Sequence, residues 1–118
     1  MPSFQYMNIY SYICVMIEAT IETEKLEKVA HILKTIAHPM RIGIVELLTY
    51  NDKLSVNEIC QKLNTEQSLT SHHLSTMRLK GIISCSREGK NMYYSLRLRE
   101  VTKVIDCIEN CDLQSISL

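Results

Sequence analysis

The chain has 118 residues, of which 46% are hydrophobic, and its 13 basic and 13 acidic side chains give a formal net charge of zero. This length fits one domain with a modest core, which dimerisation would help to stabilise. The apolar fraction is that of a globular protein and excludes a disordered chain, while the balanced charge neither favours nor excludes nucleic acid as a partner.

The first 22 residues are predicted to form an apolar N-terminal extension. Its segment FQYMNIYSYICVMI lacks the basic start and the cleavage site of a signal peptide, and polar residues interrupt it. It is also too short to span a bilayer, so no membrane partner is expected. Its aromatic and β-branched residues suit either a strand or a buried helix, and we favour an extra helix.

A helix, a break and a second helix are predicted around the only internal proline, Pro39. The segment TEKLEKVAHILKTIA places its apolar residues at helical spacing, so it is predicted to be an amphipathic helix. Proline suits the first turn of a new helix and discourages the preceding helix from continuing, so the break is expected at His38. The segment MRIGIVELL that follows is almost wholly apolar, which is typical of a buried helix.

The next part of the chain has the spacing of a helix-turn-helix. After the polar turn YNDK, Ser55 and Glu58 have the spacing of a capping box and begin the short helix SVNEICQKL. A tight connection at Asn64 leads to a further helix, predicted over residues 66–79. Two short helices joined by such a turn form this motif.

A β-hairpin and a final helix are predicted to complete the domain. The segments IISCS and MYYSL are rich in strand-forming residues and flank a polar turn at Gly89. Residues 99–111 carry apolar side chains at helical offsets and are predicted to form the last helix. The fold class is therefore mainly α with a small β-hairpin.

Two adjacent histidines, His72 and His73, raise the question of a metal site. Neighbouring residues on a helix diverge by about 100°, whereas a helical zinc pair needs i, i+4 spacing, so this pair does not suit zinc. One row of this helix, here called the inner row, is predicted to face inward; it consists of Thr70, His73, Leu74 and Met77. The opposite row, here called the recognition face, contains Gln67, Ser68, Ser71, His72 and Ser75.

The recognition face is predicted to contact DNA. Its hydroxyl, amide and imidazole groups can hydrogen-bond base edges or phosphates in a major groove, although a solvated serine-rich face is the alternative. The surrounding charge favours DNA, because residues 72–103 contain seven basic and two acidic side chains, a net charge of about +5. Such a concentration of positive charge steers a polyanion to one surface.

Four segments, LKTIAHPMRIGIVELL, LSVNEICQKL, SLTSHHLSTMRLKGII and REGKNMYYSL, occur in order over residues 33–96. They closely resemble the ArsR/SmtB family of bacterial winged-helix repressors. The resemblance implies a winged helix-turn-helix domain over residues 23–112, with an N-terminal extension (1–22) at a dimer interface and a C-terminal tail (113–118). It also implies a homodimer through the first and last helices, an inverted-repeat operator in double-stranded DNA, and release of that DNA when an effector binds. Such a regulator acts in the cytoplasm.

Carried onto this sequence, the resemblance assigns DNA contacts to the recognition face, the end of its helix and the tip of the wing. His73 falls where the family turns a side chain inward for packing and a hydrogen bond. Leu69 departs from the family, which has a small or polar residue there. The predicted DNA-binding residues are Gln67, Ser68, Ser71, His72, Ser75, Arg78, Arg87, Lys90 and Asn91.

The metal sites known in the family are not preserved in this sequence. Ser55 and Asn57 stand where one site has thiolates. The positions of a second site, which uses Asp, His, His and Glu, are occupied here by Leu98, Glu100, Cys111 and Gln114, which is not a tetrahedral set for zinc. No cofactor and no metal ligand are therefore assigned.

The five cysteines contain no CxxC pair and are irregularly spaced, so reduced thiols are expected. Cys107 and Cys111 lie four residues apart on the predicted last helix, near the place where Cys14 would arrive in the family's dimer. These are candidate sensing thiols for a thiophilic metal ion or an oxidant. The alternative is that they are small buried hydrophobic residues, the role expected of Cys60 and Cys85.

Two other classes of function are considered. A winged-helix module that binds a protein partner through the same helices, without sensing, is supported by the zero net charge and by Leu69. An enzyme is not expected, because the sequence shows no nucleophile–base arrangement and no phosphate-binding glycine loop, and it has three glycines in all.

Overall fold

A computed structural model describes residues 23–117, so the predicted N-terminal extension and Cys14 lie outside the described residues. The chain divides into two compact units at Leu33, and all but the last turn of the first described helix falls in the first unit. The described elements, in order, are α1 (Thr23–Ile36), α2 (Pro39–Tyr50), β1 (Leu54–Ser55), α3 (Val56–Leu63), α4 (Gln67–Leu79), β2 (Ile83–Glu88), β3 (Asn91–Leu96) and α5 (Val101–Glu109).

The break between α1 and α2 lies at His38, as predicted. His38 has an extended backbone (φ −151°, ψ 132°) and caps α2, because its Nδ1 accepts a hydrogen bond from the Met40 backbone N–H at 3.2 Å. Pro39 occupies the first helical position, where its missing N–H costs nothing. The α2 helix then buries Ile44 and Val45 completely, which explains its nearly continuous apolar sequence.

The helix-turn-helix consists of α3 and α4 and begins with the predicted capping box. Ser55 Oγ accepts from the Glu58 backbone N–H, and the Glu58 carboxylate accepts from the Ser55 backbone N–H, both at 3.2 Å. The α3 helix ends at Asn64, whose left-handed backbone (φ 51°) asparagine tolerates better than most residues. The chain then turns directly into α4, so the predicted motif is confirmed.

We expect Ser55→Ala to lower the free energy of unfolding by about 0.5–2 kcal/mol, the range for loss of an N-cap side chain. The substitution leaves the Glu58 backbone N–H without its acceptor. The measurement is the urea midpoint, with Ser115→Ala in the exposed C-terminal segment as the matched control. Equal midpoints for the two variants would show that the capping box contributes nothing.

The β-hairpin belongs to a three-stranded antiparallel sheet with the strand order β1-β3-β2. The hairpin registers Ile83 against Leu96 and turns at Gly89, whose positive φ of 63° suits glycine. The third strand, β1, was not predicted; it pairs Leu54 with Tyr94. With only two residues, this strand is too short to show the alternation from which strands are recognised.

The core of the second unit forms where α2, α3, α4 and the sheet meet. It is aliphatic at its centre, apart from a methionine and a threonine of α4. Its fully buried members are Ile44, Val45, Leu48, Ile59, Thr70, Leu74, Met77, Ile82 and Ile83. Among residues 23–117, no helix is both long and apolar enough to cross a membrane.

The last helix is shorter than predicted. It covers Val101–Glu109 rather than residues 99–111, and it packs on α2 through the buried side chains of Val101 and Ile105. Asn110 caps it, and Cys111 follows this cap, donating its backbone N–H to the Ile108 carbonyl at 3.1 Å. The prediction that Cys107 and Cys111 share one helix is therefore wrong, because the helix ends between them.

Candidate nucleic-acid interface

The α4 helix has the predicted rotation about its axis. Thr70, Leu74 and Met77 are fully buried and His73 is 5% exposed, so the predicted inner row faces the core. On the opposite side, four residues of the recognition face are exposed and Ser71 is half-buried. Because residues three and four apart share one side of a helix, burial of the inner row forces the recognition face outward.

Polar contacts reinforce this rotation. Thr70 Oγ1 donates to the Glu66 carbonyl at 2.9 Å and hydrogen-bonds Thr65 Oγ1 at 2.8 Å, which fixes the first turn of α4 against the preceding connection. One turn further, His73 Nδ1 accepts from Arg41 Nε at 2.9 Å, which ties α4 to α2. These hydrogen bonds lie on the buried side of α4, so they hold the helix in place and leave the recognition face free of them.

The recognition face offers small polar groups with little bulk. Ser68, His72 and Ser75 are exposed along α4, so hydroxyl and imidazole groups are available to a ligand. Leu69 interrupts them with an apolar side chain that is 44% exposed, which suits contact with a thymine methyl group in a major groove. Arg78, in the last turn of the same helix, adds an exposed positive charge.

The structure brings the tip of the wing next to the start of α4; the wing is β2, β3 and the turn between them. A cleft of about 230 Å³ lies there, and its described lining includes one lysine and no carboxylate. The sequence placed Gln67, Lys90 and Asn91 in two separate segments, and the fold makes them neighbours. The lining residues are Ser55, Val56, Asn57, Gln67, Lys90, Asn91 and Met92.

Two polar residues of this cleft, Ser55 and Asn57, were not predicted as site residues. They belong to the start of α3. The sequence analysis interpreted this segment as a helix cap and as the place where one metal site of the family has its thiolates. The sequence did contain a signal for these residues, because a capping residue lies at a helix end whose N–H groups face outward. Their nearness to Lys90 depends on folding and could not be read locally.

A further residue that sequence analysis missed is Lys53, just before β1. Its ammonium forms a salt bridge with Glu88 of the wing and lies 5.1 Å from the centre of the Tyr93 ring. The hydrogen bond to Glu88 raises the pKa of Lys53 above its ordinary value. This salt bridge offsets the negative charge of Glu88. Arg87 and Lys90 therefore dominate the charge that the tip of the wing presents to a polyanion.

The two adjacent histidine rings lie in different environments. Their ring centres are 5.7 Å apart and the rings are tilted by 60°, with His72 exposed and His73 buried. Across residues 23–117, no group of three or more metal-ligating side chains comes together. Burial, followed by electrostatic interactions with the basic side chains His38, Arg41 and His72, lowers the pKa of His73. The predicted inward role of His73, packing and a hydrogen bond, is confirmed.

The four described cysteines are free thiols. Cys60 and Cys85 are half-buried, while Cys107 and Cys111 are exposed. The alternative of small buried hydrophobic residues therefore does not describe Cys107 and Cys111 in the single chain. The proposal that they sense an effector together with Cys14 stays a prediction.

A helix-turn-helix with an outward polar helix face, followed by a β-wing, defines the class of a winged helix-turn-helix protein. A family model described as "Bacterial regulatory protein, arsR family" matches residues 38–84. The transcriptional repressor PagR of Bacillus anthracis is 41% identical over 91 residues, 77% of this chain and 91% of PagR. The chain therefore belongs to the ArsR family of bacterial regulatory proteins, as its sequence motifs predicted.

Other relatives and solved structures agree with this assignment. The transcriptional activator HlyU of Vibrio cholerae is 31% identical over 88 residues, 75% of this chain and 81% of HlyU. The crystal structure of PagR superposes with a TM-score of 0.66 at 40% identity, covering 72% of this chain and 97% of PagR. A structure of HlyU superposes with a TM-score of 0.68 at 30% identity, covering 74% of this chain and 94% of HlyU.

Proposed function

We propose that this protein is a dimeric transcriptional regulator that binds a specific inverted repeat in double-stranded DNA and represses transcription in the cytoplasm. One observation carries the proposal. The recognition face of α4 is turned to solvent, and its first residue, Gln67, shares a cleft with Lys90 and Asn91 of the wing. Helix and wing thus meet at one cleft, whose polar lining includes the positive charge of Lys90.

This surface suits the two kinds of contact that a specific DNA complex requires. Contacts to phosphates position a protein on the duplex, and contacts to base edges select the sequence. Lys90 and Arg87 at the wing suit phosphates, because each presents an exposed positive charge. Ser71 and His72 suit base edges, because a helix with small side chains can approach the floor of the major groove closely.

A dimer is supported by exposed apolar side chains on the first and last described helices. On α1, the apolar side of the predicted amphipathic helix is exposed, with Leu26 at 60% and Leu33 at 45%. On α5, Ile108 is 40% exposed. A second copy that covered these side chains would repeat the recognition face, and half-sites about one or two helical turns apart would then be expected.

Repression is proposed as the direction of regulation, because the relative PagR, 41% identical, is named a repressor. HlyU, 31% identical, is named an activator. A reporter gene placed behind the bound DNA decides between the two. Lower expression in cells that contain the protein would support repression, and higher expression would contradict it.

The test of DNA binding begins with selection of duplexes from a random library and measurement of their affinity by fluorescence anisotropy. We expect Lys90→Ala to weaken binding to every sequence alike and to reduce the slope of log affinity against log salt by about 0.9, the value for one phosphate contact. His72→Ala should instead relax base choice, by about 1–3 kcal/mol at the positions it contacts. Lys103→Ala, which removes an exposed lysine of α5 outside the cleft, is the matched control.

Failure to enrich any duplex, or affinity that does not depend on salt, would contradict the proposal. The alternative of a protein-binding module would then gain support from capture of one defined protein partner in the absence of DNA. Loss of that capture on substitution of recognition-face residues would assign the same surface to the partner.

A further inference from the structure

His73 is the buried histidine of α4, and the titratable groups around it are all basic. The residue is 5% exposed, and its ring packs against the ring of His38 with the centroids 4.5 Å apart. Its Nδ1 accepts the hydrogen bond from Arg41 Nε at 2.9 Å. The residue before it, His72, belongs to the recognition face, so His73 lies directly behind that surface on the same helix.

The hydrogen bond fixes the protonation state of the ring. Arg41 is always a donor, so Nδ1 must carry a lone pair, and the neutral ring has its proton on Nε2. Nε2 is buried and has no hydrogen-bond partner within the described chain. A second proton could only be placed on Nδ1, where it would point at the guanidinium and abolish the bond.

The charges around His73 act against that second proton. The groups that influence it are His38 at the α1–α2 junction, Arg41 on α2 and His72 on α4 itself, all of them basic. The other elements packed against α4, namely α3 and β2, contribute no charge that shifts it. Burial and these neighbours lower its pKa, so the ring is neutral at neutral pH.

Arg41 also connects His73 to a second element. Its Nη1 donates to the carbonyl of Thr35 at 2.8 Å, within the last turn of α1. One guanidinium therefore bridges the end of α1 and the DNA-binding helix. If His73 accepted a proton, α4 would lose its bond to this bridge, although the burial of Leu74 and Met77 would remain.

We propose that His73 is a positioning residue for DNA binding: its neutral ring accepts the Arg41 hydrogen bond that holds α4 in its DNA-binding orientation, and its protonation releases α4 from that bond. This inference rests on the proposed function. It predicts that DNA affinity falls on acidification through His73, although protonation of exposed histidines beside phosphates would act in the opposite direction.

The sign for stability follows from the lowered pKa of His73. Above pH 6.5, the ordinary value for histidine, the ring is neutral in the folded and the unfolded chain, and stability is unaffected. Below it, the unfolded chain binds the proton first, so the free energy of unfolding falls as pH falls. His73→Gln should remove this component, because glutamine can still accept from Arg41 but does not titrate.

The experiment measures affinity for one duplex, selected at neutral pH, by fluorescence anisotropy at constant ionic strength, from about pH 7.5 down through the titration midpoint of His73. The exposed neighbour is first removed, so the comparison is His72→Gln against His72→Gln/His73→Gln. We expect the first protein to lose affinity on acidification by roughly three- to tenfold, the effect of one lost hydrogen bond. The second should change by less than about twofold, and equal losses in both proteins would overturn the inference.

A measurement on the wild-type protein without DNA covers the case in which the variants do not fold. Imidazole nitrogen NMR shifts should show the Nε2-protonated tautomer for His73 and a titration midpoint below 6.5, with α4 amide shifts that follow the same midpoint. The opposite tautomer, a higher midpoint or unresponsive α4 amides would overturn the inference. Absence of binding to any duplex at neutral pH would instead contradict the proposed function, and the NMR titration would still decide the role of His73.

Discussion

Ser75→Glu is expected to abolish specific DNA binding while the protein stays folded. Ser75 is exposed at the C-terminal end of the recognition face, so a carboxylate there would face the phosphates and base edges of the groove. Like charges brought together across an interface cost several kcal/mol, which corresponds to a loss of about a hundredfold or more in affinity. The free energy of unfolding should change by no more than about 0.5 kcal/mol, since the side chain has no core contact to lose.

The control for this prediction is the same substitution elsewhere. Ser115→Glu adds the same charge to the exposed C-terminal segment, and the net charge of the chain changes equally in both variants. If DNA affinity depended only on overall charge, the two variants would be weakened alike. Such a result would show that Ser75 does not face the duplex. Anisotropy titrations and urea unfolding of both variants supply the comparison.

Leu74→Ala is expected to lower the free energy of unfolding by about 2–5 kcal/mol. Leu74 lies on the inner row of α4 and has no exposed surface, so its removal loses the burial of three carbons and leaves a cavity between α4 and the elements around it. A loss of this size is a large share of the total free energy of unfolding of a small domain. DNA binding should weaken as the folded fraction decreases, and urea unfolding measures the primary effect.

Leu69→Ala is the matched control, because it removes the same atoms from the same helix. Leu69 is 44% exposed, so we expect no more than about 1 kcal/mol of lost stability. The two variants together test the rotation of α4 about its axis. Equal losses, or a larger loss at Leu69, would mean that the recognition face is turned towards the core, and the proposed DNA-binding surface would have to be abandoned.

Local rules were sufficient wherever the cause of a structure lies within a few residues of it. Pro39 and the cap at His38 determine the break between the first two described helices, and the Ser55–Glu58 capping box marks the start of the helix-turn-helix. The same rules failed where local signals are weak. The final helix ends before Cys111. The spacing of its apolar residues did not show where the helical backbone hydrogen bonds would stop.

The sequence alone also determined which side of α4 faces solvent, because the period of 3.6 residues separates the row that contains Leu74 and Met77 from the recognition face. It determined the family through four motifs in order, which the comparisons confirmed. No spacing rule, however, relates residues that are far apart in the chain.

Only the tertiary structure decided which distant residues meet. It placed Lys90 beside Gln67, paired Lys53 with Glu88, joined β1 to the wing, and set Arg41 against His73. Each of these contacts crosses more than twenty residues of chain, so each exists only after α2, α3, α4 and the sheet have packed around their shared core. The physical reason is that helix rotation and turn geometry are local properties, whereas the neighbours of a side chain depend on how the whole core closes.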